Sequence, residues 1–446
     1  MTAKTARSPS VAIIGAGWAG CAAGVELSRL GAKVTVYEAA RVPGGRARRV
    51  EHQAQLLDNG QHILLGAYRD TLKLMQAVGL HPEQCLLRLP LQMRYPQGVD
   101  GMDFIAARLP APLHLLVALL RAQGLAFADK LALARFSSAA RWMGWQLHVD
   151  CSVSELLERF DQTDRLNRLL WHPLCIAALN TPPERASAKV FLNVLRDSLG
   201  AARSASDMLL PRLDLTALFP EAALAHIAKQ GAELHLGVQV RSVSPSAGRW
   251  MIHSDQANQE VDAVILANSP AGAQHLVQAI DAKLAESLQF DYEPITTCYL
   301  QYPAALRLPL PFYALADDVS KAHWAQFVFD RGQLDTAQAG LLAMVISASS
   351  QAQALSHEQL VQDLSSQLAA ALNMKELAQP LWSKLITEKR ATFACVPNLE
   401  RPECDTGHTG LWLAGDYTQG DYPATIEGAV RSGLQAAGLL MQSLRS

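Results

Sequence analysis

Apolar residues run unbroken through VAII (11–14), and return, interrupted only by Thr35, through VTVY (34–37) between Lys33 and Glu38. Such runs beside glycines predict strands buried on both faces of a parallel sheet. Between them WAGCAAGVELSRL (18–30) has a helical pattern that Gly31 closes. Strand, helix and strand follow one another as a βαβ unit.

After Asp58 the pattern is mixed. APLHLLVALLRA (111–122) and FADKLALARFSSAARWM (127–143) are helix-like and rich in Leu and Ala. SVSELLERF begins a further helix, with Ser152 and Glu155 spaced as a capping box. Helical signals continue through DRLNRLLWHPLCIAALN (164–180) and SAKVFLNVLRDSLG (187–200). LTALFPEAALAHIAKQG (215–231) then reads as a helix with a glycine stop. ELHLGVQVRSVS (233–244) gives short strands, and VDAVILANSP (261–270) a strand entering a turn. Strands in ITTCYLQYP, AQFVFD and LLAMVIS precede a helix in HEQLVQDLSSQLAAAL (357–372). The stretch GLWLAGDYTQGDYPATIEGAVRSGLQAAGLLM (410–441) is strand, loop and helix. A nucleotide-binding domain is therefore expected from segments 1–85, 206–285 and 401–446. It is interrupted by a mainly helical insertion, 86–205, facing substrate or membrane, and by a mixed sheet-and-helix substrate region, 286–400.

Gly15, Gly17 and Gly20 form GxGxxG directly after a strand and at the mouth of a helix. The first allows a tight turn and the second a close backbone approach to a pyrophosphate. The third lets the helix pack on the strand. The helix start, with Trp18 and Ala19, offers unpaired N–H groups and a partial positive charge to phosphates. Glu38, followed by Ala39, ends the second strand where a carboxylate accepts hydrogen bonds from ribose hydroxyls. A second glycine turn, PGGRARR (43–49), arrives too soon for an ordinary crossover.

Half of the 446 residues are hydrophobic and the formal net charge is −2, which argues against a polyanion-binding surface and against nucleic acid as a partner. Seven cysteines without a CxxC pair read as reduced thiols, with no disulfide framework, metal site or redox dithiol. MTAKTARSPS is a polar leader, and the apolar stretch after it is explained by the βαβ unit, so no signal sequence is expected. The apolar stretch 113–127 is broken by His114, Arg121 and Gly124, short of the roughly 20 residues that span a bilayer. The expected location is cytoplasmic. Segment 110–142, with Lys130, Arg135 and Arg141, fits a peripheral membrane face on the cytoplasmic side of the inner membrane as well as it fits a solvated one.

EAARVPGGRAR resembles the paired-glycine motif of the amine oxidase and phytoene desaturase flavoproteins, and LWLAGDYTQGDYPATIEGAVRSGLQAA resembles their C-terminal motif. The resemblance implies FAD as cofactor. It assigns Gly44, Gly45, Arg46, Val240, Gly415, Asp416, Thr425 and Ile426 to it beside the GxGxxG residues and Glu38. The implied fold class is α/β: a Rossmann-like FAD-binding domain of the glutathione-reductase and amine-oxidase type, with an interleaved substrate-binding α+β domain. With a single GxGxxG, the electron donor is not a nicotinamide docked in a second nucleotide domain, and its identity stays open.

DNGQHILLGAY (58–68), LWHPLCIAALNTPPERAS (170–187) and EKRATFACVP (388–397) extend the likeness to the hydroxysqualene dehydroxylase family, the squalene-associated branch of that superfamily. This resemblance implies an apolar isoprenoid substrate and reductive removal of an allylic hydroxyl by hydride from the flavin N5, in a route supplying hopanoid synthesis. Loss of hydroxide calls for a proton donor. His62 is the candidate, with Asp58 to orient it or tune its pKa. Tyr417 and Tyr422 are candidate phenol donors, Asn180 a substrate contact, and Arg390 a charge beside the cofactor or at the surface. The residues alone leave a structural reading open for each. A carotenoid desaturase, an amine oxidase and a non-redox lipid carrier of the same fold are the rivals. Retention of Gly44, Gly45, Arg46 and the GDYT segment argues against the carrier. Oligomeric state is not legible.

Overall fold

The computed structural model describes residues 8–53, 55–96 and 100–445; the first seven residues of the polar leader lie outside them. Five parallel strands form the central sheet: β1 (Ser10–Ile14), β2 (Lys33–Glu38), β3 (Glu233–Leu236), β4 (Ala263–Leu266) and β5 (Leu411–Leu413), in the order β3-β2-β1-β4-β5. Val11, Ala12 and Ile13 are fully buried, as a strand covered on both faces requires. The chain leaves β1 through α1 (Trp18–Arg29) to pair on one side, while β4 pairs on the other. The strand order thus reverses at the carboxyl end of β1, the place where such sheets leave a ligand crevice.

A second, antiparallel sheet comes entirely from 286–400. Its strands lie in the order Phe312–Ala314, Phe327–Asp330, Leu341–Ile346, Tyr292–Gln301, Trp382–Phe393. Side chains alternate across it. Cys298 and Leu300 pack with Leu360, Leu364 and Leu368 of helix His357–Leu372 on one face. Tyr299 points the other way, into the large core shared with the helical insertion. Its hydroxyl donates to Asp58 O (2.9 Å) and accepts from Asp58 N (3.2 Å), which ties this sheet to the DNGQH turn.

The insertion enters and leaves through neighbouring strands: Leu86–Leu89 pairs with Met208–Pro211, which also pairs with Leu64–Leu65. Within it lie α2 (Leu113–Arg121) and α3 (Phe127–Trp142). Ser152 and Glu155 form the expected capping box, each accepting from the other's backbone N–H. The expected helix over 164–180 breaks into Asp164–Leu166, a π-helical turn Asn167–Trp171 and helix His172–Leu179. Pro173 has no N–H to return to the preceding turn, and the widened turn absorbs the gap. The C-terminal helix α4 (Ile426–Ser443) packs on α1, where an alanine Cβ placed at Gly433 would lie 2.2 Å from the Ala19 carbonyl oxygen. Among the described residues all seven cysteines are free, no His, Cys, Asp and Glu cluster is suited to a metal, and no helix is long and apolar enough to cross a membrane.

Candidate functional site

A cleft of about 460 Å³ opens at the carboxyl ends of β1, β2 and β4. Gly15, at φ +110°, forms its base, and a Cβ there would lie 2.7 Å from the Ala267 carbonyl oxygen. Gly17 caps α1 without a side-chain hydrogen bond, so the first amides of that helix are left for a ligand. Gly44 and Gly45, both at positive φ, bring a second turn against the first, with Gly44 N donating to Ala16 O (2.8 Å). Gly20 does not line the cleft. Its missing Cβ, which would fall 1.9 Å from Gly15 O, lets α1 lie on the strand. Trp18 and Ala19 line the cleft, and the Trp18 indole donates to Ala47 O (3.1 Å).

Glu38 stands at the end of β2 with Ala39 and Val240 beside it in the lining. Its carboxylate accepts from Ala16 N (2.7 Å) and Ala40 N (2.8 Å), which fixes it while leaving lone pairs for hydroxyl donors. Asn268 also lines the cleft, and its buried Oδ1 has no partner within the protein. Uncapped amides, two glycine turns, a fixed carboxylate and an orphaned acceptor match the pyrophosphate, ribose and ring N–H groups of a flavin dinucleotide.

Toward the other end Arg46 joins three parts of the chain. Its Nη2 donates to Asp416 Oδ1 (2.5 Å) and its Nη1 to Ala391 O (2.8 Å). Burial works against this guanidinium's charge, but Asp416, with Tyr292 and Glu388, more than offsets it and the pKa is raised. Gly415, Asp416, Thr425 and Ile426 line this end, and Thr425 caps α4 by accepting from Gly428 N (3.1 Å).

His62 lines the same cleft. Its Nδ1 is 2.7 Å from Gly60 O, an atom that can only accept, so in the neutral ring the proton sits on Nδ1 and Nε2 is left as an acceptor. Burial, and then the Arg46 charge, lower its pKa. Glu388 lines the cleft as well, accepting from Asn59 Nδ2 (3.2 Å) and Arg390 N (3.2 Å).

Several expected roles need correction. Asp58 forms no hydrogen bond with His62; its Oδ1 accepts from Leu215 N (2.8 Å), and burial raises its pKa to about 6. Tyr422 is outside the cleft lining. Its hydroxyl donates to Asp197 Oδ2 (2.5 Å), and its ring lies under the Arg431 guanidinium. Tyr417 does not itself line the cleft; it is buried between Phe290 and the lining residue Gly415, and its hydroxyl has no partner within the protein. Asn180 is spent on Glu293 O, Thr392 Oγ1 and Ala348 N, which leaves nothing for a substrate. Of the two readings open for Arg390 the surface one holds, since it is exposed over the Tyr292 ring. Asn268 and Glu388 escaped the sequence reading. Asn268 directly follows the VDAVILA strand, where a strand-end turn marks a crevice residue. Glu388 carries no such signal.

A family model for flavin containing amine oxidoreductases matches residues 18–441. Hydroxysqualene dehydroxylases of Rhodopseudomonas palustris and Zymomonas mobilis are 28% and 27% identical, over 98% and 96% of this chain and 100% and 98% of theirs. A probable zeta-carotene desaturase of Synechococcus elongatus is 24% identical over 97% of this chain and 98% of its own. Among solved structures, cyclohexylamine oxidase from Brevibacterium oxydans superposes with a TM-score of 0.69 at 17% identity, covering 98% of this chain and all of that one.

Proposed function

The chain belongs to the flavin-containing amine oxidoreductase family and is an FAD-dependent oxidoreductase, and from that premise we propose that it removes the allylic hydroxyl of hydroxysqualene to give squalene. The supporting observation is end-to-end similarity, at 27–28% identity, to hydroxysqualene dehydroxylases of three bacteria, against 24% for the desaturase.

The reaction balances as one hydride and one proton replacing C–OH by C–H and releasing water. Bound reduced FAD supplies the hydride. The residues of this chain do the rest. The α1 amides and the Gly44–Gly45 turn would hold the pyrophosphate, and Glu38 would hold ribose hydroxyls. Ala391, Ala424 and Ile426 contribute uncharged surface to a lining that also carries Arg46, Glu388 and Asp416. His62, anchored through Nδ1 to Gly60, is the proton carrier: protonated, its Nε2–H donates to the departing hydroxyl; neutral, Nε2 accepts from that hydroxyl and positions it.

Similarity to the desaturase supports a second reading in which electrons leave the isoprenoid. One anaerobic experiment separates them. Chemically reduced enzyme incubated with hydroxysqualene yields squalene under the first reading. Absence of squalene, with oxidised enzyme dehydrogenating zeta-carotene in the presence of a quinone, would overturn it.

A further inference from the structure

Fifteen large hydrophobic side chains are exposed among the described residues, and nine of them lie between Ile105 and Val149. They are ordered by the helices that carry them. On α3 Phe127, Leu131, Arg135, Ser138 and Trp142, all exposed, recur at spacings of four, four, three and four, one stripe of a helix, with Ala128 and Arg141 exposed beside it. Phe127 and Trp142, 81% and 90% exposed, stand at its two ends. The opposite face, with Leu133, Phe136 and Ala140, is in the core. On α2 the same spacing exposes Leu113, Leu116 and Leu120. Lys130 Nζ donates to Leu120 O (2.9 Å), so the end of α2 is tied to the turn of α3 that carries Phe127 and Leu131.

The charge carried by these helices and the segments that join them is mainly basic. Residues 104–149 hold Arg108, Arg121, Lys130, Arg135 and Arg141 against Asp129 alone, a net +4 within a chain of net −2. Asp129 is buried and committed to Ala126 N and Thr163 Oγ1. The four arginines are exposed.

We propose that the face formed by α2 and α3 docks on an anionic lipid bilayer, both helices lying in the plane of the interface. Aromatic side chains at the ends of α3 suit the headgroup level, and arginines among and beside the exposed apolar positions suit acidic headgroups. A second copy of the chain fits poorly, because it would set +4 against +4. The proposal stands apart from the reaction above, since its readout is vesicle binding and not turnover.

The test is co-sedimentation of the full-length, FAD-loaded protein with vesicles of phosphatidylcholine, with and without phosphatidylglycerol. The expected result is binding to the phosphatidylglycerol vesicles that weakens by about tenfold or more in high salt. The Leu120→Ser/Phe127→Ser/Trp142→Ser variant should lose binding by about thirtyfold or more. Replacing Arg121, Arg135 and Arg141 by Gln should cost about fivefold per residue on anionic vesicles alone. Unchanged flavin absorbance in both variants certifies their fold. Wild type that stays in the supernatant with both vesicles overturns the proposal, as does a serine variant that binds like wild type. A wild-type dimer that the serine variant splits would also overturn it by assigning the face to a second copy.

Discussion

Alanine substitution at two glycines of α4, five residues apart, should have opposite effects. At Gly433 a Cβ would sit 2.2 Å from the Ala19 carbonyl oxygen, 3.0 Å from its carbonyl carbon and 3.1 Å from Ala23 N. All three are backbone atoms of α1, so no rotamer change relieves the contact. The two helices must separate by about 1 Å in an interior packed like a crystal. Alanine gains about 1 kcal/mol of helix propensity over glycine, while overpacking costs about 1–3 kcal/mol. With rigid backbone on both sides the upper end applies, and the expected net loss is about 2 kcal/mol. At Gly438 nothing lies within 4 Å of the added Cβ, so propensity acts alone. Gly438→Ala should therefore be more stable by about 1 kcal/mol. The consequence reaches the cofactor, because Ala19 is in the first turn of α1 and lines the cleft. Gly433→Ala should weaken FAD binding by about tenfold, the equivalent of 1.4 kcal/mol, and Gly438→Ala should leave it unchanged. Urea unfolding followed by circular dichroism, and FAD titration of apoprotein, measure the two effects. A Gly433→Ala protein as stable as wild type, binding FAD as tightly, would refute the close-packed seam and its link to the cleft.

Asp416→Asn removes the charge that Arg46 pairs with, and FAD affinity should fall about 10- to 100-fold; a change under about threefold would mean the pair does not shape the cleft. The His62 pKa lies below 6.5, so the imidazole is mostly neutral at pH 7.5. If its protonated form donates to the leaving hydroxyl, single-turnover rates should fall about tenfold per pH unit above that pKa, and His62→Gln should flatten the profile. An unchanged profile in the variant would remove His62 from proton transfer. Asp58 has a folded pKa raised to about 6 from 3.8, so its protonated form favours the native state. That stability is complete below pH 3.8 and disappears as pH rises through 6, a loss of about 3 kcal/mol that denaturation midpoints should register and Asp58→Asn should abolish. The same variant should keep its turnover, since Asp58 makes no hydrogen bond with His62; a collapse of activity would restore a catalytic role.

The βαβ unit and its glycines were legible because their requirements are local. A tight turn, an exposed helix start and a fixed carboxylate all lie within one strand–helix–strand unit, and each selects its residue type through backbone geometry. The strands of 286–400 were legible too, by their apolar runs, but not their pairing. Nothing in VDAVILANSP says that its strand lies beside β1, and that adjacency alone makes Asn268 part of the site. Side-chain chemistry was least readable. Asp58, four residues from His62, belongs to Leu215; Tyr422, six from Asp416, belongs to Asp197. A carboxylate or phenol acquires its role from whichever donor or acceptor the tertiary fold delivers, and sequence proximity carries little information about that.

The same long-range assembly governs how cofactor and fold depend on each other. Arg46 comes from the first segment, Ala391 from the second sheet and Asp416 from the C-terminal strand–helix, and their hydrogen bonds exist only when all three are in place. A ligand in this cleft therefore selects the fully assembled chain over every partly folded form. By mass action, FAD at a hundredfold excess over its Kd adds about 2.7 kcal/mol to the stability of the native state. At that FAD concentration the tenfold weaker binding gives Gly433→Ala about 1.3 kcal/mol less of this increment, so FAD should widen the seam defect that apoprotein displays. Denaturation of Gly433→Ala should then be strongly dependent on FAD concentration, through a midpoint that rises by the same increment as in wild type but only at about tenfold higher FAD. Equal FAD dependence in the two proteins would show that the α1–α4 seam and the cleft are energetically independent.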